Sequence, residues 1–150
     1  MALAANDAAE RVDQLIILTE RLTDVMARQS QCFEEHRPQD AAGLMDEASR
    51  LANLYRHESA RVRADIDLIR GAPVDLRRKL VGATEAFDVV LARHGRAVAA
   101  AKFVTEGLVR TIAEEVAGQR ERLSGYGPGA RTAASASSAA ATAITLNRRA

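Results

Sequence analysis

Three long stretches of the chain carry apolar residues at steps of three and four, which is the spacing of amphipathic helices. The first stretch has its inward positions at Val12, Leu15, Leu18, Leu22, Val25, Gln29 and Cys32. The second has them at Leu44, Ala48, Leu51, Tyr55, Val62, Ile66 and Ile69. The third has them at Leu76, Leu80, Ala83, Phe87, Leu91, Val98, Ala101, Leu108 and Ile112. The pattern predicts an all-α fold, an antiparallel helical hairpin plus one long third helix, arranged as an extended three-helix coiled-coil bundle.

Capping and breaking residues predict where these helices begin and end. Asp7 followed by Glu10 resembles a capping box, so the first helix is expected over about residues 7–35. Pro38 suits a first helical turn and pushes the preceding residue out of helical geometry. The second helix is therefore expected over 39–70. The third, opened by Pro73, is expected over 73–123, so that residues 1–123 form the helical bundle.

The third helix is longer than the two helices on which it packs. An unbroken helix of about 50 residues runs about 75 Å, whereas helices of about 30 residues span about 45 Å each. Apolar residues near its end, such as Val104 and Leu108, then have nothing in the hairpin to cover them. An exposed apolar patch of this kind marks an interaction surface. A kinked helix folded back on its own bundle, or a homodimer seam, is the alternative.

Composition and charge narrow the class of protein. The 150 residues are 47% hydrophobic but only 3% aromatic, which favours many small apolar contacts. The net charge of +1 gives no field that would draw the whole chain to nucleic acid or to a membrane. Residues 1–72 carry 9 basic and 13 acidic side chains, and residues 73–150 carry 12 and 7, so the halves have opposite charge. With no long apolar run or leader-like start, we expect a cytoplasmic protein without membrane insertion.

Few residues suit catalysis or metal binding. Cys32 is the one cysteine and falls on the first helix's seam, where a buried thiol is the simpler interpretation. The three histidines, His36, His57 and His94, form no His-x-x-x-His pair and have no cysteine pair beside them. We therefore expect no enzyme activity, no metal and no cofactor.

The character of the chain changes after Leu123. Residues 124–150 open with glycines and a proline and continue as low-complexity Ala, Ser and Thr, which predicts a flexible tail. Three helices, the last long and apolar, followed by Tyr126-Gly127-Pro128-Gly129 and a polar tail, resemble the FlgN family of flagellar type III export chaperones. The pattern around His94-Gly95 adds to this resemblance.

The resemblance implies a function and a set of site residues. It implies a cytoplasmic chaperone that binds the C-terminal helical region of flagellar hook-filament junction proteins, prevents their premature association and hands them to the export gate. The cargo would lie along the third helix, at Leu91, His94, Val98, Ala101, Thr105, Leu108, Ile112 and Val116. Tyr126 would dock on the cytoplasmic domain of the export gate. We expect a monomer or weak homodimer, and the alternative is a self-associating structural or regulatory coiled-coil protein.

Overall fold

The computed structural model describes residues 4–125, of which 89% are helical and none lies in a strand. The all-α prediction is therefore confirmed. The helices are α1 (Ala8–Glu34), α2 (Pro38–Gly43), α3 (Met45–Ala64), α4 (Asp67–Arg70) and α5 (Val74–Ser124). The chain divides into two compact units, Met1–Thr111 and Ile112–Ala150. The core described below lies in the first unit.

Helix α1 supplies most of the core. Its N-cap is Asp7, whose carboxylate accepts a hydrogen bond of 2.8 Å from the backbone N–H of Glu10. The Glu10 carboxylate in turn accepts from the backbone N–H of Asn6 at 2.7 Å, so the capping box is present with its return bond one residue early. All seven inward positions predicted for this helix are buried: Val12, Leu15, Leu18, Leu22, Val25, Gln29 and Cys32.

Helix α3 runs antiparallel to α1, as two ion pairs between them show. The exposed pair joins Arg21 to Glu47 at 2.9 Å. The other joins Arg11 to Glu58 at 3.5 Å, and the Glu58 side chain is fully buried. A buried carboxylate requires compensating charge, and here Arg61 of the same helix adds a second cation at 3.2 Å. The hairpin is thus fixed by a charged contact inside its core as well as by apolar packing.

The interval 39–70, expected as a single helix, contains three. α2 ends at Gly43 and α3 begins at Met45, with Leu44 between them. The second break is at Asp65, whose backbone is extended and whose carboxylate accepts a hydrogen bond of 3.1 Å from the N–H of Asp67. Aspartate favours such local turns because its side chain competes with the helical backbone for hydrogen bonds. The short helix α4 then leads through buried Ala72 into α5.

Helix α5 packs against the hairpin with its N-terminal half and runs parallel to α1. Near its start, a Cβ on Gly71 would lie 3.6 Å from the Cβ of Ala8. Further along, Arg93 binds Glu34 at the end of α1, with 2.8 Å between Nε and Oε1. The Phe87 ring, which is buried, lies 5.0 Å from the ring of Tyr55 on α3.

The inner face of α5 has a different register from the one expected in its middle. Leu91 and Val98 were predicted to face inward, but they are 44% and 38% exposed. Their neighbours face the bundle instead: Val90 is half-buried and Ala97 is buried. Apolar residues occupy more than one face of this helix, so hydrophobicity alone does not select the inward face.

Candidate functional site

The candidate site lies where α1 ends beside α5. The turn after α1 places His36 at φ 57°, a left-handed conformation in which glycine is usual. The N–H of His36 donates to the carbonyl of Phe33 at 3.1 Å, and the N–H of Arg37 donates to that of Cys32 at 2.8 Å. Pro38 then starts α2 in a new direction. The turn therefore closes α1 tightly and directs the chain away from its path along α5.

This turn and the facing stretch of α5 enclose an apolar cleft of about 360 Å³. The α1 side is formed by Phe33, Glu34, His36 and Pro38. The α5 side is formed by Ala97, Ala100, Ala101, Val104 and Thr105. Because three of the five α5 residues are alanines, a helix or a large apolar side chain can approach the α5 backbone closely here. A cleft of this size and lining can accept an apolar group.

His94 lies at the inner edge of this region and faces α1. Its Nδ1 is 3.3 Å from the hydroxyl of Ser30, and its ring centroid is 6.2 Å from that of Phe33. The Ser30 hydroxyl already donates to the carbonyl of Met26 at 2.7 Å, so it is an acceptor for a proton on Nδ1. Burial lowers the pKa of His94, and an interaction with the Met26 carbonyl partly opposes that shift. A neutral imidazole in the bundle interface follows.

An exposed ion pair borders the cleft. Glu34 accepts two hydrogen bonds from the Arg93 guanidinium, and these lower the pKa of the Glu34 carboxyl. The same contact raises the pKa of Arg93. Both side chains remain about two-fifths exposed, so the pair adds little to the stability of the fold. Its main effect is to hold the end of α1 beside α5.

Beyond the cleft, α5 presents an uncovered apolar surface. Every residue from 102 to 111 is exposed. The four largest apolar side chains in this stretch are 57–78% exposed: Phe103, Val104, Leu108 and Val109. Its three charged residues, Lys102, Glu106 and Arg110, are four positions apart and share one strip of the helix. The rest of the circumference of this stretch carries no charge.

The residues predicted to bind cargo fall into separate environments. Ala101 and Thr105 line the cleft, and Leu108 is exposed in the adjoining stretch. His94 belongs to the bundle interface, while Leu91 and Val98 are exposed on α5. In the second unit, Ile112 is 54% and Val116 44% exposed. Tyr126 lies outside the described residues.

Sequence reasoning did not assign Phe33, His36, Pro38 or Ala97 to the site. A signal for Ala97 exists, because the steps Phe87, Val90, His94, Ala97, Ala101 and Val104 alternate three and four without a gap. No comparable signal marks the α1 side, since it depends on how a turn and a helix 60 residues apart come together in space.

Within residues 4–125, no helix is both long and apolar enough to cross a membrane.

Comparison with known proteins identifies a related sequence and no similar solved structure. No family model matches the chain, so the resemblance to the FlgN family gains no support from that comparison, and no solved structure matches it. The flagellar basal-body protein FlbY of Caulobacter vibrioides is 58% identical over 151 residues, and the alignment covers 100% of both chains. The chain therefore belongs to the family of the flagellar basal-body protein FlbY.

Proposed function

We propose that this protein is a cytoplasmic flagellar export chaperone that holds a helical segment of a hook-filament junction protein on α5. Its flagellar role rests on membership of the family of a flagellar basal-body protein. The observation that carries the chaperone proposal is the exposed apolar stretch 102–111, which continues from the alanine-lined cleft. A helix of this composition is costly to leave in water, so its function involves an apolar partner.

Helix-on-helix binding suits this surface and requires no catalytic group. The cargo helix would place residues at i, i+3, i+4 and i+7 on α5, as amphipathic ligands do in apolar grooves. Covering that helix in the cytoplasm would prevent the cargo from associating before export. The export gate would then receive the complex through the segment around Tyr126, outside the described residues.

A second candidate is a self-associating coiled-coil protein of the flagellar basal body. The name of the relative refers to the basal body, and the same uncharged surface of α5 suits a second copy of the chain. In that case the apolar stretch is already covered when the protein is alone in solution. The two candidates therefore differ in the mass of the free protein.

Light scattering on the purified protein tests both candidates. The chaperone proposal expects a species near the chain mass of 16.1 kDa that becomes a one-to-one complex with junction proteins of the same organism. Leu108→Glu should abolish the complex, whereas Arg110→Glu, on the charged strip of the same stretch, should preserve it. A stable homo-oligomer that ignores the junction proteins would establish the second candidate instead.

A truncation tests the proposed gate contact separately. A chain ending at Gly125 should bind the junction proteins with unchanged affinity but lose binding to the cytoplasmic domain of the export gate. Tyr126→Ala in the full chain should reproduce that loss. Normal gate binding by both variants would show that the tyrosine has no such role.

A further inference from the structure

Helix α1 lies along only the first part of α5, although α5 continues well beyond the end of α1. The two helices run parallel, since Ala8 at the start of α1 lies near Gly71, just before α5, and Glu34 at the end of α1 pairs with Arg93. At that point the turn through His36 ends α1 and diverts the chain into α2. The face of α5 that α1 covers does not end there.

The face of α5 toward α1 continues without a change of character. On the side of α5 that faces the hairpin, Phe87 lies beside Tyr55 of α3, and His94 lies beside Ser30 of α1. These two residues and Ala97 are buried or half-buried. The next positions at the same helical spacing are Ala101, Val104 and Leu108, and their exposure increases from half-buried to 60%. The uncovered surface is thus a direct extension of an interface that the molecule already makes, and a helix is the element that this interface accepts.

The end of α1 favours one direction for an incoming helix. The C-terminal end of a helix carries a partial negative charge, and α1 has no basic residue in its last turn to offset it. The adjacent carboxylates of Glu34 and Glu35 add negative charge, although each is paired with an arginine. The positive N-terminal end of a partner helix therefore fits beside the end of α1, and a C-terminal end does not.

We infer that the partner of this protein binds as an amphipathic helix in line with α1, parallel to α5, with its N-terminal end at the Phe33–Pro38 turn. This inference rests on the proposed function and specifies the site and the direction of binding. The partner helix places large apolar side chains opposite Ala100 and Ala101, where the alanines leave room, and continues over Val104 and Leu108. In effect it extends α1 with a segment from another protein.

Two valines of α5 provide a matched test of the site. Val104 is 57% exposed on the proposed face, and Val109 is 62% exposed but lies about 140° around the helix. With a labelled peptide of the C-terminal 40 residues of a junction protein as probe, Val104→Asp should weaken binding by about tenfold or more, because it buries a carboxylate against apolar side chains. Val109→Asp should change the dissociation constant less than twofold. Circular dichroism checks that both variants retain their helix content.

Paramagnetic labels test the direction. In a Cys32→Ser background, a nitroxide on Gln39→Cys, at an exposed position beside the turn, should broaden the resonances of the peptide's N-terminal residues. A nitroxide on Arg110→Cys should broaden those of its C-terminal residues. The reverse pattern would overturn the direction while leaving the site intact.

The outcomes separate this inference from the function on which it rests. A peptide that does not bind the unmodified protein contradicts the proposed function itself. A peptide that binds the unmodified protein, and whose binding is weakened by Val109→Asp but not by Val104→Asp, supports the function and overturns the site. Sensitivity to Val104→Asp alone, with the expected broadening pattern, establishes both.

Discussion

At the scale of single residues, the hairpin contains two arginine–glutamate pairs that differ mainly in burial. Arg11 is 10% exposed and its partner Glu58 is 0% exposed, whereas Arg21 and Glu47 are 66% and 35% exposed. Arg11→Met should lower the free energy of unfolding by about 3 kcal/mol, because it removes a cation from a buried carboxylate. Arg21→Met should lower it by under about 1 kcal/mol.

Urea denaturation of both variants measures this difference. The two arginines occupy the same helix and reach the same partner helix, so helix propensity and side-chain length are matched. Equal losses in the two variants would mean that Glu58 obtains its compensation from Arg61 and its other neighbours, without needing Arg11.

The half-buried imidazole of His94 predicts a pH dependence of stability. Its pKa in the folded protein lies below the value of about 6.5 that it has in an unfolded chain. Between these two values the unfolded chain binds more protons, so the free energy of unfolding falls as the pH is lowered from 7 toward 5. The loss is complete once the pH is below the pKa of the folded state.

His94→Gln should flatten this pH dependence, since an amide does not titrate. Chemical denaturation between pH 5 and pH 7 measures the slope while leaving most carboxylates ionised in both states. A slope that survives His94→Gln would locate its source in another group.

At the scale of the element, α5 combines a packed half with an uncovered half. Gly95 lies beside the bundle and Gly107 lies in the exposed stretch, and a Cβ at either position would have no atom within 4 Å. Alanine should therefore be accommodated at both sites and favour the helix by about 1 kcal/mol. The observable effect should differ between the two.

Gly95→Ala should raise the free energy of global unfolding, whereas Gly107→Ala should slow amide exchange in residues 102–111 with little change in global stability. The reason is that a helical stretch without tertiary cover opens locally before the core unfolds. Hydrogen exchange together with urea denaturation measures both quantities. A rise in global stability from Gly107→Ala would show that this stretch unfolds together with the core.

How far the sequence predicts an element depends on how one-sided its apolar pattern is. In α1 every predicted inward residue is buried, because the opposite face is polar and only one orientation hides the apolar side chains. In α5, Leu91 and Val98 compete with Val90 and Ala97, and the structure selects the smaller pair. The fit of side chains against the hairpin decides which apolar face turns inward, and hydrophobicity alone does not express that fit.

The candidate site was predictable from the sequence only in part. The exposed end of α5, including Leu108, follows from the lengths of the helices. The α1 side of the cleft does not, because it depends on the left-handed turn at His36, and the sequence has no glycine there to signal it. Similarly, the Asp65 turn that separates α3 from α4 depends on one side-chain hydrogen bond within an otherwise helical pattern.

At the scale of the whole molecule, parallel packing of α1 and α5 has a consequence for the order of folding. Contacts between α1 and α3 join residues 26 and 47 positions apart, whereas contacts between α1 and α5 join residues 59 and 64 apart. Closing a longer loop costs more chain entropy before any contact is gained. We therefore expect the transition state for folding to contain the hairpin and to lack α5.

Ala48 on α3 and Ala97 on α5 offer a comparison, as they are 6% and 7% exposed in their helices. Ala48→Gly should mainly slow folding and Ala97→Gly should mainly accelerate unfolding, as stopped-flow kinetics would measure. The opposite assignment would place α5 in the nucleus. If α5 docks late, the hairpin forms first during synthesis and leaves Ser30 and Phe33 exposed until α5 packs on it. The proposed partner-binding surface is then the last part of the fold to form.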